Sequence, residues 1–367
     1  MTNLYIGVLS GTSMDAIDIA AIDFNQAQPK ICATMSCALP PEYKQTYLQF
    51  INSGSCDLEE LGQLDRFTGK LFATAILEFL DKHGISKNSV IAIGSHGQTI
   101  WHAPQAKHPF SLQLGDPSTI AYLTGITTIA DFRSADIAAG GQGAPLAPAF
   151  HQAIFANDQE PRCIVNVGGF SNISVLANNE WLGFDSGPGN CLMDQWVKTH
   201  FGLDFDADGN LAAGGVVDKQ LLDYLLDDPY FKRSSPKSTG REYFNSAWLQ
   251  ENLRNRGKTE ISAVDVLTTL LHLTANSIAA AIKKYAPATS RIFLCGGGTN
   301  NIALVRQLSL NLDREIHTTT TLGIDPQWVE TALFAWLAKQ RFTEQPIDLL
   351  SITGSQRPVL LGGIYKV

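Results

Sequence analysis

No two cysteines in this 367-residue sequence are spaced as CxxC. The six thiols, Cys32, Cys37, Cys56, Cys163, Cys191 and Cys295, are scattered, and three lie in or beside apolar segments. That pattern argues against a structural zinc site and for a reducing compartment. Basic runs are missing as well. Lys and Arg total 27 against 35 Asp and Glu, a formal charge of −8, so neither nucleic acid nor an anionic membrane is an expected partner. No apolar run reaches membrane-spanning length and no signal-peptide pattern precedes the first apolar segment, which makes the cytoplasm the expectation. The chain has no GxxxxGK[ST] and no GxGxxG, which excludes a Walker phosphate loop and a dinucleotide fingerprint.

The remaining composition is that of a globular protein, with 44% hydrophobic and 17% charged residues. At this length two domains with a cleft between them are expected. Strand-like segments fall at 4–9, 17–24, 30–38, 90–94, 111–114, 126–130, 162–167, 172–177, 181–185, 291–295 and 359–366. Helical patterns lie between them. Asp57 and Glu60 open one that ends near Gly84, and Asn190 caps one to about His200. Residues 262–285 carry apolar positions at helical spacing, and Asp325-Pro326 opens a helix to about Gln340. Strands alternating with helices define an α/β fold.

One plan occurs twice. Leu4 to Phe24 reads strand, polar glycine turn, strand, and residues 162–185 repeat it as CIVNVGGFSNISVL and WLGFD. Two similar halves facing each other are implied. A third glycine turn, FLCGGGTNN at 293–301, follows a strand and precedes a helical segment. Each turn alone is compatible with a purely structural role. Together, each after an apolar strand, they suit an anion, because glycine removes the Cβ that keeps a phosphate from backbone N–H groups. Thr12 and Ser13 add hydroxyls, and Asp15 adds a carboxylate able to hold a hydrated Mg²⁺.

Four further stretches carry chemistry-bearing side chains. Asp185, in GFDSGPGN, stands at a strand's end where an α/β enzyme places a general base; a turn-stabilising aspartate satisfies the same pattern. Glu330 shares a helical face with Leu333, Phe334 and Leu337, so it is buried, paired or lining a site. His96, Gln98, Thr99 and His102 in GSHGQTIWHAP make either a sugar-binding wall or a satisfied loop. Arg133, in DFRSADIAAGGQGAPLA, suits a carboxylate ligand or a salt bridge.

SGTSMDAID, SHGQTIWH, GDPSTIA, DFRSADIAAGGQGAPL, NVGGFSNIS, GFDSGPGN, CGGGTNN and VETALFAWLA, in this order over nearly the whole chain, together resemble the anhydro-N-acetylmuramic acid kinase family. The resemblance implies a two-domain actin-like sugar-kinase fold, ribonuclease H-like, with Mg²⁺ and ATP in an interdomain cleft. The domains would be 1–132 with 356–367, and 133–355. It implies ATP-dependent conversion of 1,6-anhydro-N-acetylmuramic acid to N-acetylmuramic acid 6-phosphate, with hydrolytic opening of the anhydro bridge, in peptidoglycan recycling.

By the same resemblance Gly11, Thr12, Ser13, Met14, Asp15, Ala16, Ile17 and Asp18 form the first phosphate loop. Asp15 would meet the metal through water. Gly168, Gly169 and Asn172 form the second loop, and Gly296, Gly297, Gly298 and Asn300 the adenosine side. Asp185 is implied as catalytic base and Glu330 as the acid that orients substrate, with His96, Gln98, Asp116 and Arg133 on the sugar. A homodimer is the expected assembly. Ala16 stands where the family usually has glycine, which matters only if that backbone needs a positive φ. Two other readings stay open: another sugar or carboxylate kinase of this fold, and a nucleotide-dependent sensor protein.

Overall fold

The computed structural model describes residues 3–11, 14, 16–26, 28–177, 180–255, 260–289 and 291–367. Among these residues the strands are β1 (Leu4–Ser10), β2 (Ala16–Asp23), β3 (Lys30–Ala38), β4 (Val90–Ala103), β5 (Phe110–Leu114), β6 (Thr128–Ala130), β7 (Arg162–Val167), β8 (Phe170–Ala177), β9 (Glu180–Pro188), β10 (Arg291–Cys295), β11 (Ile316–Thr318) and β12 (Gly363–Tyr365). The chain divides into two compact units, 1–150 with 328–367, and 151–327.

The first unit's sheet runs β12-β6-β4-β1-β2-β3, with β5 on the end of β4. β1, β2 and β3 are antiparallel neighbours, while β4 and β6 continue from β1 in parallel. The second unit's sheet runs β11-β10-β7-β8-β9 with the same pattern: an antiparallel meander, then two parallel strands. The echo between 4–24 and 162–185 is therefore a duplicated topology, the ribonuclease H-like order expected of an actin-like sugar kinase.

Alternating apolar residues of β1 and β2 (Leu4, Ile6, Val8, Ile17, Ile19) meet Phe72, Ile76 and Phe79 of the helix Leu58–Lys82 in one core. Asp57 caps that helix, its carboxylate accepting from the N–H groups of Glu59 and Glu60. In the second unit Val165, Ile173 and Phe184 pack against the helix Ala263–Tyr285 and its neighbours. That helix is apolar and long enough to cross a bilayer, but most of its residues are buried in this core.

Four expectations are corrected. The stretch after Ile93 is strand: β4 continues to Ala103 because Gln98–Ala103 pairs antiparallel with β5. β9 runs to Pro188, so Asp185 sits within a strand, beside a bulge at Ser171/Asn172. Asn190 makes no side-chain cap bond; backbone donors at the start of that helix bond the β7–β8 turn. Segments 133–150 and 328–355, expected in the second domain, cluster with the first unit.

The last correction has a clear cause. The helix Val329–Phe342 packs on β1 and β4. A Cβ on Gly7 would lie 1.8 Å from Thr331 O, and one on Gly94 2.0 Å from Phe334 O. Two bare glycines on neighbouring strands let the helix backbone rest directly on the sheet.

Candidate active site

In the second unit the strand register assembles a polar row. Cys295 of β10 pairs with Asn166 of β7, Asn166 with Asn172 of β8, and Asn172 with Asp185 of β9. Directly opposed residues share a face of the sheet, so the four side chains line one face, close to where β7 and β10 end. Both glycine turns follow at that edge. Carboxyl ends of parallel strands are where open α/β sheets bind ligands.

The 168–169 turn is tied to the chain that enters the next helix. Gly168 O accepts from Asn190 N (2.9 Å), and Gly169 O from Gly189 N and Cys191 N (3.0 Å each). The hairpin turn therefore covers the N-terminus of the helix Cys191–Phe201, and Gly168 and Gly169 are half-buried. Gly296 has φ +80° and packs so closely that a Cβ would fall 2.4 Å from Asn166 Oδ1. Gly297 has open space around it, and it and Asn300 are exposed. Asn301 caps the following helix, Ile302–Leu312.

Asp185 is 6% exposed. Its N–H donates to Lys237 O (3.0 Å), its carbonyl accepts from Tyr230 OH (2.7 Å), and its Oδ2 accepts from Thr239 N (3.0 Å). The segment 237–239 thus straps the carboxylate in place. Nearby, Asn172 Oδ1 and Thr239 Oγ1 are buried without a partner among the described residues. Buried polar groups are ordinarily satisfied, and these two are suited to a ligand or water beside Asp185. Sequence reasoning missed Tyr230, Lys237 and Thr239. The run SSPKSTG has the small polar look of an ordinary loop, and nothing local signals a partner some fifty residues earlier.

The remaining candidates lie in the first unit. Arg133 Nη2 donates to His96 Nε2 (2.9 Å) and Nη1 to Gly143 O (2.7 Å). Arginine only donates, so His96 accepts at Nε2 and carries its proton on Nδ1. Burial first, and Arg133 second, hold that imidazole well below its usual pKa. The ring stacks on Phe334, centroids 4.5 Å apart. His102 bonds Ser111 Oγ (3.0 Å), and burial together with Arg133 brings its pKa down to about 4. Its Nε2 and Gln98 Oε1 are buried and unpartnered among the described residues.

Asp116 caps the helix Pro117–Thr124, taking N–H groups of Ser118 and Thr119 and an ion pair with Arg66. Its carboxylate is largely occupied by these partners. Glu330 is half-buried in the first turn of a helix otherwise buried from Val329 to Ala338.

Of the first loop, Thr12, Ser13 and Asp15 lie outside the described residues. Gly11 O accepts from Met14 N (3.0 Å), and Met14, at φ 54°, takes the left-handed turn. Ala16 and Ile17 are already strand, so Ala16 opposes Ala38 in an ordinary ladder and the missing glycine costs nothing there. Asp18 pairs with Leu9 and Ser36; burial raises its pKa, the Ser36 bond opposing this, and Oδ1 is unpartnered among the described residues. Among the described residues no three His, Cys, Asp or Glu side chains converge on a metal position.

A family model described as anhydro-N-acetylmuramic acid kinase matches residues 3–367. The chain belongs to that family. The namesake kinase of Pasteurella multocida (strain Pm70) is 46% identical over 367 residues, covering 99% of this chain and 97% of the relative. That of Shewanella sp. (strain ANA-3) is 48% identical over 365 residues, 99% and 98% of the two chains. That of Coxiella burnetii (strain Dugway 5J108-111) is 45% identical over 366 residues, 98% and 97%. Among solved structures, the activator of the 2-hydroxyisocaproyl-CoA dehydratase from Clostridium difficile with bound ADPNP shares 13% identity. It covers 93% of this chain and 96% of that one, with a TM-score of 0.48. The family is one of kinases.

Proposed function

We propose that this member of the family transfers the γ-phosphoryl of ATP to O6 of 1,6-anhydro-N-acetylmuramic acid while water opens the anhydro bridge. The products are ADP and N-acetylmuramic acid 6-phosphate, and the role is in peptidoglycan recycling. O6 of the substrate is an ether oxygen without a proton, so a proton must be taken elsewhere. Asp185 removes one from the water that attacks the anomeric carbon. The C1–O6 bond breaks, and the released O6 takes the phosphoryl group. The glycine turns at 168–169 and 296–298 receive the nucleotide, with backbone N–H groups offsetting phosphate charge. His96 and Gln98 hydrogen-bond the sugar, Arg133 faces its lactyl carboxylate, and Glu330 orients the reacting groups.

Mg²⁺ would neutralise phosphate charge as the family's chemistry requires. Asp15 and the unpartnered oxygen of Asp18 fit a water-mediated hold, because magnesium keeps several waters and few carboxylates. A homodimer in the cytoplasm belongs to the same reading.

The observation that carries the mechanism is Asp185: a buried carboxylate held by Thr239 N–H, on the polar row beside both glycine turns. The test is product mass in ¹⁸O-labelled water. One label should enter the sugar at the anomeric hydroxyl and none the phosphate. Asp185→Asn should lower turnover by at least ~10⁴-fold, the upper end of general-base assistance, with calorimetry still showing both substrates bound. Label in the phosphate, or an active Asn variant, would overturn the mechanism. A product heavier by phosphate alone would point to an ordinary sugar kinase, and ATP turnover indifferent to sugar to a sensor protein.

A further inference from the structure

Behind the catalytic strand, on the opposite sheet face from Asp185, lies a cavity of about 600 Å³ that the proposed reaction does not use. Phe184 and Ser186, the neighbours of Asp185 along β9, form its floor. The C-terminal turns of the helix Ala263–Tyr285 form one wall, and Phe231, Leu222 and Leu226 give an apolar side. Four cationic residues are in its lining: Arg233, Lys237, Lys283 and Lys284. Asp223 is the one carboxylate in its lining among the described residues.

None of the four cations forms a salt bridge among the described residues. Lys237 is 8% exposed, bonded to Tyr230 O (3.2 Å) with its ammonium over the Tyr230 ring at 4.4 Å. Burial first, then neighbouring Lys284, brings its pKa down to about 8, with Arg233 adding to this and Asp185 opposing it. A buried charge is ordinarily paired. Lys237 is the buried cation of the four; Arg233, Lys283 and Lys284 are exposed at the rim, Arg233 over the Tyr230 and Tyr243 rings and Lys284 over Tyr285. Four cations against one lining carboxylate are an arrangement suited to an anion. The volume falls within the range of small-molecule sites.

We infer that this cavity binds a small phosphorylated molecule, its phosphate among the four cations and its apolar part against Phe231. A phosphate ester suits it because up to two charges and three acceptor oxygens on one centre can engage several cations at once. Lys237 makes the site consequential. The residue lines the cavity while its carbonyl holds Asp185 N–H, and Thr239, two residues on, holds the Asp185 carboxylate. An occupant that draws Lys237 toward the cavity acts on the strap that positions the candidate base.

The test uses the full chain saturated with a non-hydrolysable ATP analogue, so that the nucleotide site is filled. Labelled pyrophosphate serves as probe in equilibrium dialysis, with citrate as the polycarboxylate control. One pyrophosphate should bind per chain, at least ~10-fold weaker in Lys283→Glu and weaker in Arg233→Gln. Both variants should keep the wild-type melting temperature, and Lys283→Glu the basal turnover. Amide exchange in 184–187 and 237–239 should slow on binding. No binding beside the ATP analogue, or equal binding by Lys283→Glu, would overturn the site. Citrate binding where pyrophosphate does not would overturn the phosphate assignment. Unchanged exchange with pyrophosphate bound would overturn the coupling to Asp185.

Discussion

Gly94→Ala should displace the helix that carries Glu330. The added Cβ would stand 2.0 Å from Phe334 O, and ordinary contact begins at 3.4 Å, so backbone must retreat by about 1.4 Å. Neither partner is a flexible side-chain tip: one is strand β4, the other the carbonyl of a helix packed on β1, β2 and β4. Overpacking of this kind costs about 1–3 kcal/mol. At roughly 2–4 °C per kcal/mol for a unit of this size, the melting temperature should fall by about 2–12 °C. Turnover should fall further than stability. Phe334 lies one helical turn beyond Glu330, and a shift of about 1 Å in a positioned group costs on the order of 10²-fold.

The assays are differential scanning fluorimetry and sugar-dependent ADP release, both at a temperature where the variant is folded. Gly62→Ala is the control. Gly62 lies in the helix Leu58–Lys82 with nothing within 4 Å of its Cβ position, so alanine should be neutral or stabilise by up to ~1 kcal/mol. A Gly94→Ala protein with wild-type melting and turnover would refute the reasoning, because the helix would then not be seated by these glycines.

Three more expectations follow from named groups. Glu330→Gln keeps shape and removes charge; turnover should drop by about 10²-fold with melting unchanged, and a loss of stability alone would assign Glu330 a structural role. Asp15→Ala should lower turnover by a similar ~10² or more, in the range that removing one charge-stabilising group produces, and near wild-type turnover in a stable variant would remove it from the metal site. Burial lowers the pKa of His151 to about 3 and, with Arg133, that of His102 to about 4. Their unfolded value is near 6.5, so below it the unfolded chain binds more protons, and stability falls as pH drops from about 6.5 toward 4, by about 1.4 kcal/mol per unit per group. Melting should follow that slope, and His151→Gln should flatten it; a melting temperature constant from pH 7 to 4.5 would contradict it.

Much of the fold was legible where the pattern is local. The strand-like segments at 4–9 and 30–38 placed β1 and β3, Asp57 announced its helix, and the repeated strand–turn–strand foretold a topology used twice. Asp185 stood out through GFDSGPGN. What could not be read depends on distant partners. β4 continues past Ile93 only because β5 pairs with it. Helix 329–342 joins the first unit because Gly7 and Gly94, more than two hundred residues earlier, leave room for it. The strap on Asp185 comes from residues 54 positions away, and no periodicity marks a single irregular segment that lands beside a strand.

That strap has a second consequence. β9 is the outermost strand of its sheet, and an outer strand offers free backbone groups to any passing chain, the starting point of edge-to-edge aggregation. At Asp185 both are taken, the N–H by Lys237 O and the carbonyl by Tyr230 OH, and Pro188 at the strand's end has no N–H to offer. The covering that fixes the Asp185 carboxylate also keeps the sheet from growing, so protein damaged in residues 230–239 should be lost to aggregates as well as to inactivity.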